Sequence, residues 1–384
     1  MIRIVIALSL LVGALDFRYY RRRMRSRRRG VRVPFIVFAA ATDLLPLIAG
    51  GLFGLLPDNS TATVAAAMWL FYVYLLTVLP RLAFYFFQHF GLARTGAAAA
   101  GLTAVLLVWG AVYARTSYAV NEVEVRSERL PEGFDGLRIV HFSDLHIGTL
   151  VHPEREMKRL VRTVDALRPD LVVFTGDLVN IRYTELDSAA MRILSQLRAP
   201  LGVVSNIGNH DTGVYVKDTL ALPVEVNTDS LVARQRRMGW RLPDNETEYL
   251  VRGGDTITLS GISFDPAFRR ERHDRNVGMN IGATYEGVSR TPYNITLSHL
   301  PQLWDRIREL GYGDLTLSGH VHAMQIKARI GKWRFSPARL FYKRWSGRYD
   351  EEGSTLYIND GIGYVGFPMR LGAYPEITVI TLRR

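Results

Sequence analysis

The spacing of hydrophobic and polar positions changes near residue 116. Before that point apolar residues come in long unbroken blocks, at 4–15, 35–57, 63–80 and 95–114. The last three approach the roughly 20 residues a helix needs to cross a bilayer. Three such blocks in succession are hard to bury in one small soluble core. The first block is shorter and runs into Phe17-Arg18-Tyr19-Tyr20 and a set of arginines instead of a small-residue cleavage site. It therefore reads as a membrane helix and not as a signal peptide. Asp43 and Pro46 interrupt the second block.

Beyond 116 the apolar runs shorten and alternate with helical patterns. Residues 153–168 place Met157, Leu160, Val161, Val164 and Leu167 at helical spacing, with Pro153 suited to the first turn. Strand-like runs fall at 138–142, 171–175, 202–205, 256–260, 293–297, 314–317, 354–358 and 376–382, with helices expected near 189–197, after 228, and within 301–310. The β-α-β-α-β order at the start implies a largely parallel sheet with right-handed crossovers, and the number of strands calls for two sheets. The expected division is a helical transmembrane region over 1–116, with three to four helices, and an α/β domain over 117–384.

Charge sharpens this division. Of the formal +12, residues 1–116 supply +10, from thirteen arginines set against Asp16, Asp43 and Asp58. The α/β part is left with +2 and has no electrostatic reason to seek nucleic acid. The arginines of 21–32 should hold their loop in the cytoplasm, as should Arg81 and Arg94 the second loop, whereas 57–61 carries no basic residue. The segment after 114 is then expected on the outer face. Asp43, an acid inside a span with no evident basic partner in the neighbouring spans, is expected to face another helix. A transporter built on it would need paired intramembrane charges, and Arg81 is placed at the end of its span.

The candidate chemistry lies where strands stop. Asp144-x-His146, Gly176-Asp177, Gly208-Asn209-His210-Asp211, Ser298-His299 and Gly319-His320-x-His322 each follow a strand-like run. Ligands of open α/β sheets gather at the carboxyl ends of strands. Each cluster alone is ordinary turn or cap chemistry; their recurrence at successive strand ends is not. The chain has no cysteine, so a metal must be held by His, Asp, Asn or Glu. Two aspartates, an asparagine oxygen and four imidazoles exceed the needs of one ion, and two divalent ions about 3.5–4 Å apart, sharing a carboxylate, use them economically. His141 is expected to pack within its strand, and His89, His152 and His273 to be loop residues. Arg182, Tyr183, Asp265 and Arg370 are possible lining residues.

This motif set resembles that of the calcineurin-like metallophosphoesterase superfamily, over roughly residues 135–384. The helical prefix and the ending 363–378, with Pro368-Met369-Arg370-Leu371-Gly372 and Pro375-Glu376-Ile377, are similar to its bacterial membrane-tethered branch. That branch is often associated with UDP-2,3-diacylglucosamine hydrolysis in lipid A synthesis or with other phosphodiesterase activity. The resemblance implies a four-layer αββα sandwich and a hydrolase working on a phosphoester, possibly lipid-linked. It implies two divalent ions (Mn, Fe, Zn or Mg), one held by Asp144, His146 and His322, the other by Asn209, His299 and His320, with Asp177 bridging and His210 acting on the phosphate. Ala323-Met324, between the last histidine and Gln325, depart from the small residues common in that branch. A scaffold that has lost catalysis would be expected to lack a ligand, and none is missing.

Overall fold

The computed structural model describes residues 2–266, 281–331 and 333–384; His273 lies outside them. The chain divides into two compact units, Met1–Tyr113 with Gly366–Met369, and Ala114–Val365 with Arg370–Arg384.

The first unit is helical: α1 (Ile2–Tyr19), α2 (Arg29–Asp43), α3 (Leu45–Leu55), α4 (Thr61–His89) and α5 (Ala93–Val112), with a π-turn over Tyr20–Met24. Three stretches are long and apolar enough to cross a membrane, Arg29–Gly51, Thr61–His89 and Ala93–Thr116. Three expectations change. The block 35–57 is not one helix: α2 begins within the arginine block and ends before Leu44, because Pro46 has no N–H to return to the carbonyl of Thr42. Pro80 does not end the next helix, which continues to His89, so His89 is helical. Arg81 consequently lies inside α4, and Asp43 has a basic partner after all. Arg81 Nη2 is 2.8 Å from Asp43 Oδ1 and Nη1 is 2.6 Å from Asp16 Oδ2. Thr42 Oγ1 accepts from Nη2 at 2.9 Å, and the Tyr85 hydroxyl donates to Asp16.

The second unit holds the strands β1 (Ala119–Arg126), β2 (Arg138–Phe142), β3 (Leu171–Phe174), β4 (Val203–Ser205), β5 (Glu246–Arg252), β6 (Asp255–Ile262), β7 (Asn294–Ser298), β8 (Leu315–Ser318), β9 (Ala328–Ile330), β10 (Trp333–Phe335), β11 (Gly347–Glu351), β12 (Ser354–Ile358) and β13 (Glu376–Arg383), with helices α6 (Pro153–Ala166), α7 (Ser188–Leu194) and α8 (Val224–Arg237). One sheet runs β1-β13-β2-β3-β4, the other β11-β12-β8-β7-β6-β5, and β9 and β10 form a separate hairpin. The expected parallel core is present in both sheets. Antiparallel pairs appear where β13 meets β2 and at both edges of the six-stranded sheet.

The register explains the layering. In β2, Ile139 turns to a shared core with Leu171, Val173, Leu259, Leu297, Leu317 and Ile380, drawn from both sheets. By alternation Phe142 faces the other way, where its ring lies 5.2 Å from that of Phe174. His141 is fully buried in its strand, with Nε2 2.8 Å from Thr175 Oγ1. The short helix Trp304–Glu309 buries Trp304 and Ile307. The unit is the expected αββα sandwich.

Candidate metal centre

β2, β3, β4, β7 and β8 release their chains at the same end of the two sheets, and the polar clusters follow at once. Asp144, His146, Asp177, His320 and His322 adopt left-handed backbone, with φ between 46° and 73°. Such residues cost roughly 1–3 kcal/mol each and collect where surrounding structure over-determines them, as at functional sites. Two glycines let the loops approach this closely. A Cβ at Gly208 would overlap the Asp177 carboxylate, and one at Gly319 would overlap Ser143 and Asp144.

The side chains converge. Asp144 Oδ1 lies 3.1 Å from His322 Nε2, and His322 Nε2 lies 3.2 Å from His146 Nε2. Asp177 Oδ2 is 3.1 Å from His299 Nε2 and 3.7 Å from His146 Nε2. Asn209 Oδ1 is 3.1 Å from His299 Nε2 and 2.9 Å from His320 Nδ1. Three groups of close ligand atoms result: Asp144, His146 and His322; His146, Asp177 and His210; and Asp177, His299 and His320. The structure therefore brings together all eight residues singled out in the sequence. His210 is grouped among possible ligands here, although the motif resemblance gives it a role on the phosphate instead.

Outer contacts set which nitrogen of each ring faces inward. His299 Nδ1 is 2.7 Å from the Thr175 carbonyl, and His210 Nδ1 is 2.6 Å from the Asn180 carbonyl. Each Nδ1 must then carry its proton as donor, which leaves each Nε2 for other chemistry. The His210 ring stacks on Tyr215 at 4.2 Å and meets His146 edge-on at 4.8 Å.

Electrostatically the two aspartates stand out. Both are buried, and among the described residues neither has a lysine or arginine within ion-pair distance, only imidazoles. Burial pushes the Asp144 carboxyl up, but His322 and His299 more than offset this and hold it below its ordinary value. His299 and His210 do the same for Asp177. Burial pushes His146 down, and His320 down to about 3. His299 runs the other way: burial opposes its charge, yet Asp177 raises it to about 9.

A family model, calcineurin-like phosphoesterase, matches residues 137–324. An uncharacterized metallophosphoesterase, YkuE of Bacillus subtilis, is 30% identical over 270 residues, covering 68% of this chain and 84% of its own. The chain belongs to the calcineurin-like phosphoesterase family. A transmembrane protein with metallophosphoesterase domain from Danio rerio is 33% identical over 285 residues, 74% of this chain, and the chain spans about three fifths (61%) of that relative's length. The UDP-2,3-diacylglucosamine pyrophosphatase LpxG of Chlamydia trachomatis is 26% identical over 284 residues, covering 61% of this chain and 81% of that protein.

In this calcineurin-like phosphoesterase several supporting residues escaped sequence reasoning. Asp211 closes the Gly208-Asn209-His210-Asp211 motif, and the motif alone gives it no role. Its carboxylate accepts backbone N–H bonds from Asp177, Leu178, Val179 and Gly208 at 2.8–3.2 Å and so ties two ligand loops together. Burial and the neighbouring Asp177 charge push it up to about 7. Glu185 accepts from Gly148, Asn180 and Ile181 in the same manner. Arg370 is fully buried behind the centre instead of lining an open pocket. It donates to the carbonyls of Asp360, Gly363 and Ala373, and its Nη2 lies 3.3 Å from His322 Nδ1. Tyr183 lies under the Arg234 guanidinium, and Asp265 borders a separate cavity with Asn245 and Ser263. His152 is exposed just before α6.

Proposed function

We propose that the chain is a membrane-anchored phosphoester hydrolase that works with two divalent cations. The observation that carries this reading is a pair of buried aspartates, Asp144 and Asp177, surrounded by imidazoles and an amide oxygen and lacking any lysine or arginine partner among the described residues. Two buried carboxylates whose neighbours are imidazoles, of which only His299 is raised, are left under-compensated and costly, and divalent cations offset them. Asp144, His146 and His322 would hold one ion, Asn209, His299 and His320 the other, and Asp177 both. The donors fit. The Nδ1 of His299 is occupied by the Thr175 carbonyl, which leaves Nε2 free as a ligand, and among the described residues the His146 Nδ1 has no hydrogen-bond partner. A mixed nitrogen and oxygen set suits Mn, Fe or Zn, with Mg less favoured.

Divalent ions at such a site polarise phosphoryl oxygens and supply a nucleophilic water at neutral pH. The chain's own residues do the rest. Asn180 fixes the His210 ring through Nδ1, so Nε2 is the atom presented to substrate. Burial holds that ring uncharged; a phosphoryl anion beside it favours the protonated form, whose Nε2–H can pass to a departing oxygen. Asp211 keeps the loops of Asp177 and Asn209 in register through its backbone bonds, so the ligands do not have to be ordered as substrate binds.

The arginine-rich segment 21–32 supports a cytoplasmic position for the turn after α1, and counting the three candidate spans from it puts residues from about 116 onward on the outer side. On that side the substrate is a lipid-linked or envelope phosphodiester or pyrophosphate. The Chlamydia relative supports a second reading, hydrolysis of UDP-2,3-diacylglucosamine. That reading requires the opposite orientation, because the precursor lies in the cytoplasmic leaflet. Purified full chain, assayed with Mn²⁺ against phosphodiesters, phosphomonoesters and lipid pyrophosphates, tests the activity; no turnover of any class would overturn it. A reporter active only outside the cytoplasm, fused to Arg384, separates the two readings. A silent reporter there, with a cytoplasmic one active, restores the second.

A further inference from the structure

The hairpin of β9 and β10 is amphipathic across its two faces. Its register sets Trp333 opposite Ile330, Phe335 opposite Ala328 and Arg334 opposite Arg329. Because side chains alternate along a strand, Ile330, Trp333 and Phe335 share one face with Ala328, and the two arginines share the other. The apolar face is uncovered: Trp333 and Ile330 are each 79% exposed and Phe335 52%. The turn that follows, Pro337–Leu340, adds Leu340 at 76% and Phe341 at 64%. Two strands with an uncovered apolar face are marginal in water, and a patch of five large apolar side chains on a soluble surface marks something that binds there.

Beside the hairpin lies a groove of about 520 Å³ whose lining includes Arg334, Arg339, Lys343, Tyr342 and Trp345. Arg334 sits over the Trp345 ring at 5.9 Å, and Arg339 lines the same groove. Aromatic rings with a polar edge, next to cations, suit the headgroup level of a bilayer bearing negative charge. The segment is also mechanically joined to the candidate centre. Ser336 Oγ donates to the carbonyl of Ala323 at 2.6 Å, immediately after His322, and the Tyr342 ring lies 6.1 Å from that of His320.

We propose that residues 328–331 and 333–343 form a membrane-docking element: the apolar face of the hairpin, with Leu340 and Phe341, enters the lipid surface, and Arg334, Arg339 and Lys343 take the anionic headgroup of a lipid next to His320. The occupant is the bilayer and not a protein partner. The same chain carries three helices long and apolar enough to cross a membrane, and only a few residues separate the last of them from β1, so lipid is the surface always within reach. The cationic groove complements anionic lipid. The substrate class then follows, resting on the hydrolase reading above: a phosphoester whose lipid tail stays in the membrane while its phosphate reaches the centre.

The chain has no cysteine, so a single one can be labelled without ambiguity. The full chain is reconstituted in nanodiscs containing doxyl-labelled lipid, with an environment-sensitive fluorophore on Leu340→Cys or, as a control, on Val251→Cys of β5, which is 63% exposed. Docking predicts a blue-shifted, quenched signal at 340 and an unquenched one at 251, with quenching at 340 increasing as phosphatidylglycerol replaces phosphatidylcholine. An unquenched label at 340, equal quenching at both positions, or a shift that follows protein concentration and not lipid overturns the proposal, the last in favour of self-association. In a second arm, Ile330→Asp combined with Trp333→Asp should lower the ratio of hydrolysis of a vesicle-borne lipid phosphodiester to that of bis(p-nitrophenyl) phosphate by about tenfold; an unchanged ratio overturns the link to substrate. If the unaltered chain hydrolyses neither compound while 340 is quenched, docking stands and the hydrolase reading falls.

Discussion

In the helical unit Arg81 faces Asp16 and Asp43; at the strand ends Asp144 and Asp177 face imidazoles and an asparagine. Each cluster brings two carboxylates together, both buried at the strand ends and one buried (Asp16) and one half-buried (Asp43) in the helical unit, and they solve the resulting problem differently. Arg81 spends its guanidinium on the two acids and Thr42, and Tyr85 adds a donor to Asp16. That cluster is closed in the sense that one guanidinium bridges both acids and Tyr85 donates to Asp16, so its polar atoms find partners within the helices. The strand-end cluster is open: of the imidazoles around its two buried carboxylates burial holds His146 and His320 neutral, His299 alone is raised by Asp177, and the rings aim their nitrogens into one shared space. A buried acid is therefore a poor sign of function by itself, and the identity of its neighbours decides whether a ligand is required.

The most severe way to break this contrast is Asp177→Asn. Asn tolerates the left-handed backbone of position 177, so the fold should hold while the shared charge is lost. The expected outcome is loss of bound metal, measured by elemental analysis, together with hydrolysis no faster than that of the chelator-treated chain. Asp43→Asn, which removes the corresponding charge from the closed cluster, should leave turnover within about twofold. Stoichiometric metal in the Asp177 variant would contradict the open-cluster account.

Next in size is His210→Ala. The Asn180 carbonyl fixes the ring from outside the cluster, so removing it should leave both ions in place and slow hydrolysis by roughly 10²–10⁴-fold, most on esters with poor leaving groups. Metal loss in this variant would instead make His210 a ligand, as its closeness to His146 and Asp177 allows.

How much of this was legible in the sequence follows from the range of the interactions involved. The eight site residues were readable because each lies within a few positions of a strand end, and turn chemistry is local. Two sheets followed from the strand count, and the αββα layering from the motif resemblance. Asp211 and Arg370 were not assignable, because their partners are backbone groups whose positions exist only once the loops are folded. The pairing of β1 with β13 joins residues some 250 apart, and no local pattern announces it. Arg81 was misplaced because Pro80 normally ends a helix, whereas here the helix runs through it. The β9–β10 hairpin was missed because its strands are three residues each, too short to show alternation.

The closed cluster is tested by Arg81→Met, which leaves buried Asp16 and half-buried Asp43 without a counter-charge. Such a break costs roughly 3–5 kcal/mol. Thermal unfolding of the purified full chain should shift down accordingly, and adding Asp16→Asn and Asp43→Asn to the same chain should restore most of it. A single variant as stable as the parent would show that the acids find water or protons instead, and that the cluster is not closed.

The smallest expected effect distinguishes the clusters by their protons. In the metal-free chain Asp177 raises His299 from its ordinary 6.5 to about 9, so this ring is charged at pH 7. Asp144 and Asp177, held low, carry no proton there, and His146 and His320, pushed down by burial, are already neutral. Because the folded value lies above the unfolded one, the His299–Asp177 pair stabilises the metal-free chain fully below pH 6.5 and loses that contribution as pH rises through about 9. Metal must take His299 as the neutral ring, so loading at pH 7 should release that proton, with a further fraction from Asp211, and the release should fall away as pH rises past 9. Calorimetric titration of Mn²⁺ into the chelated full chain, repeated in buffers of different ionisation enthalpy, counts that proton. Zero release from the parent at pH 7 would place the neutralising charge elsewhere and remove His299 from the set that binds metal.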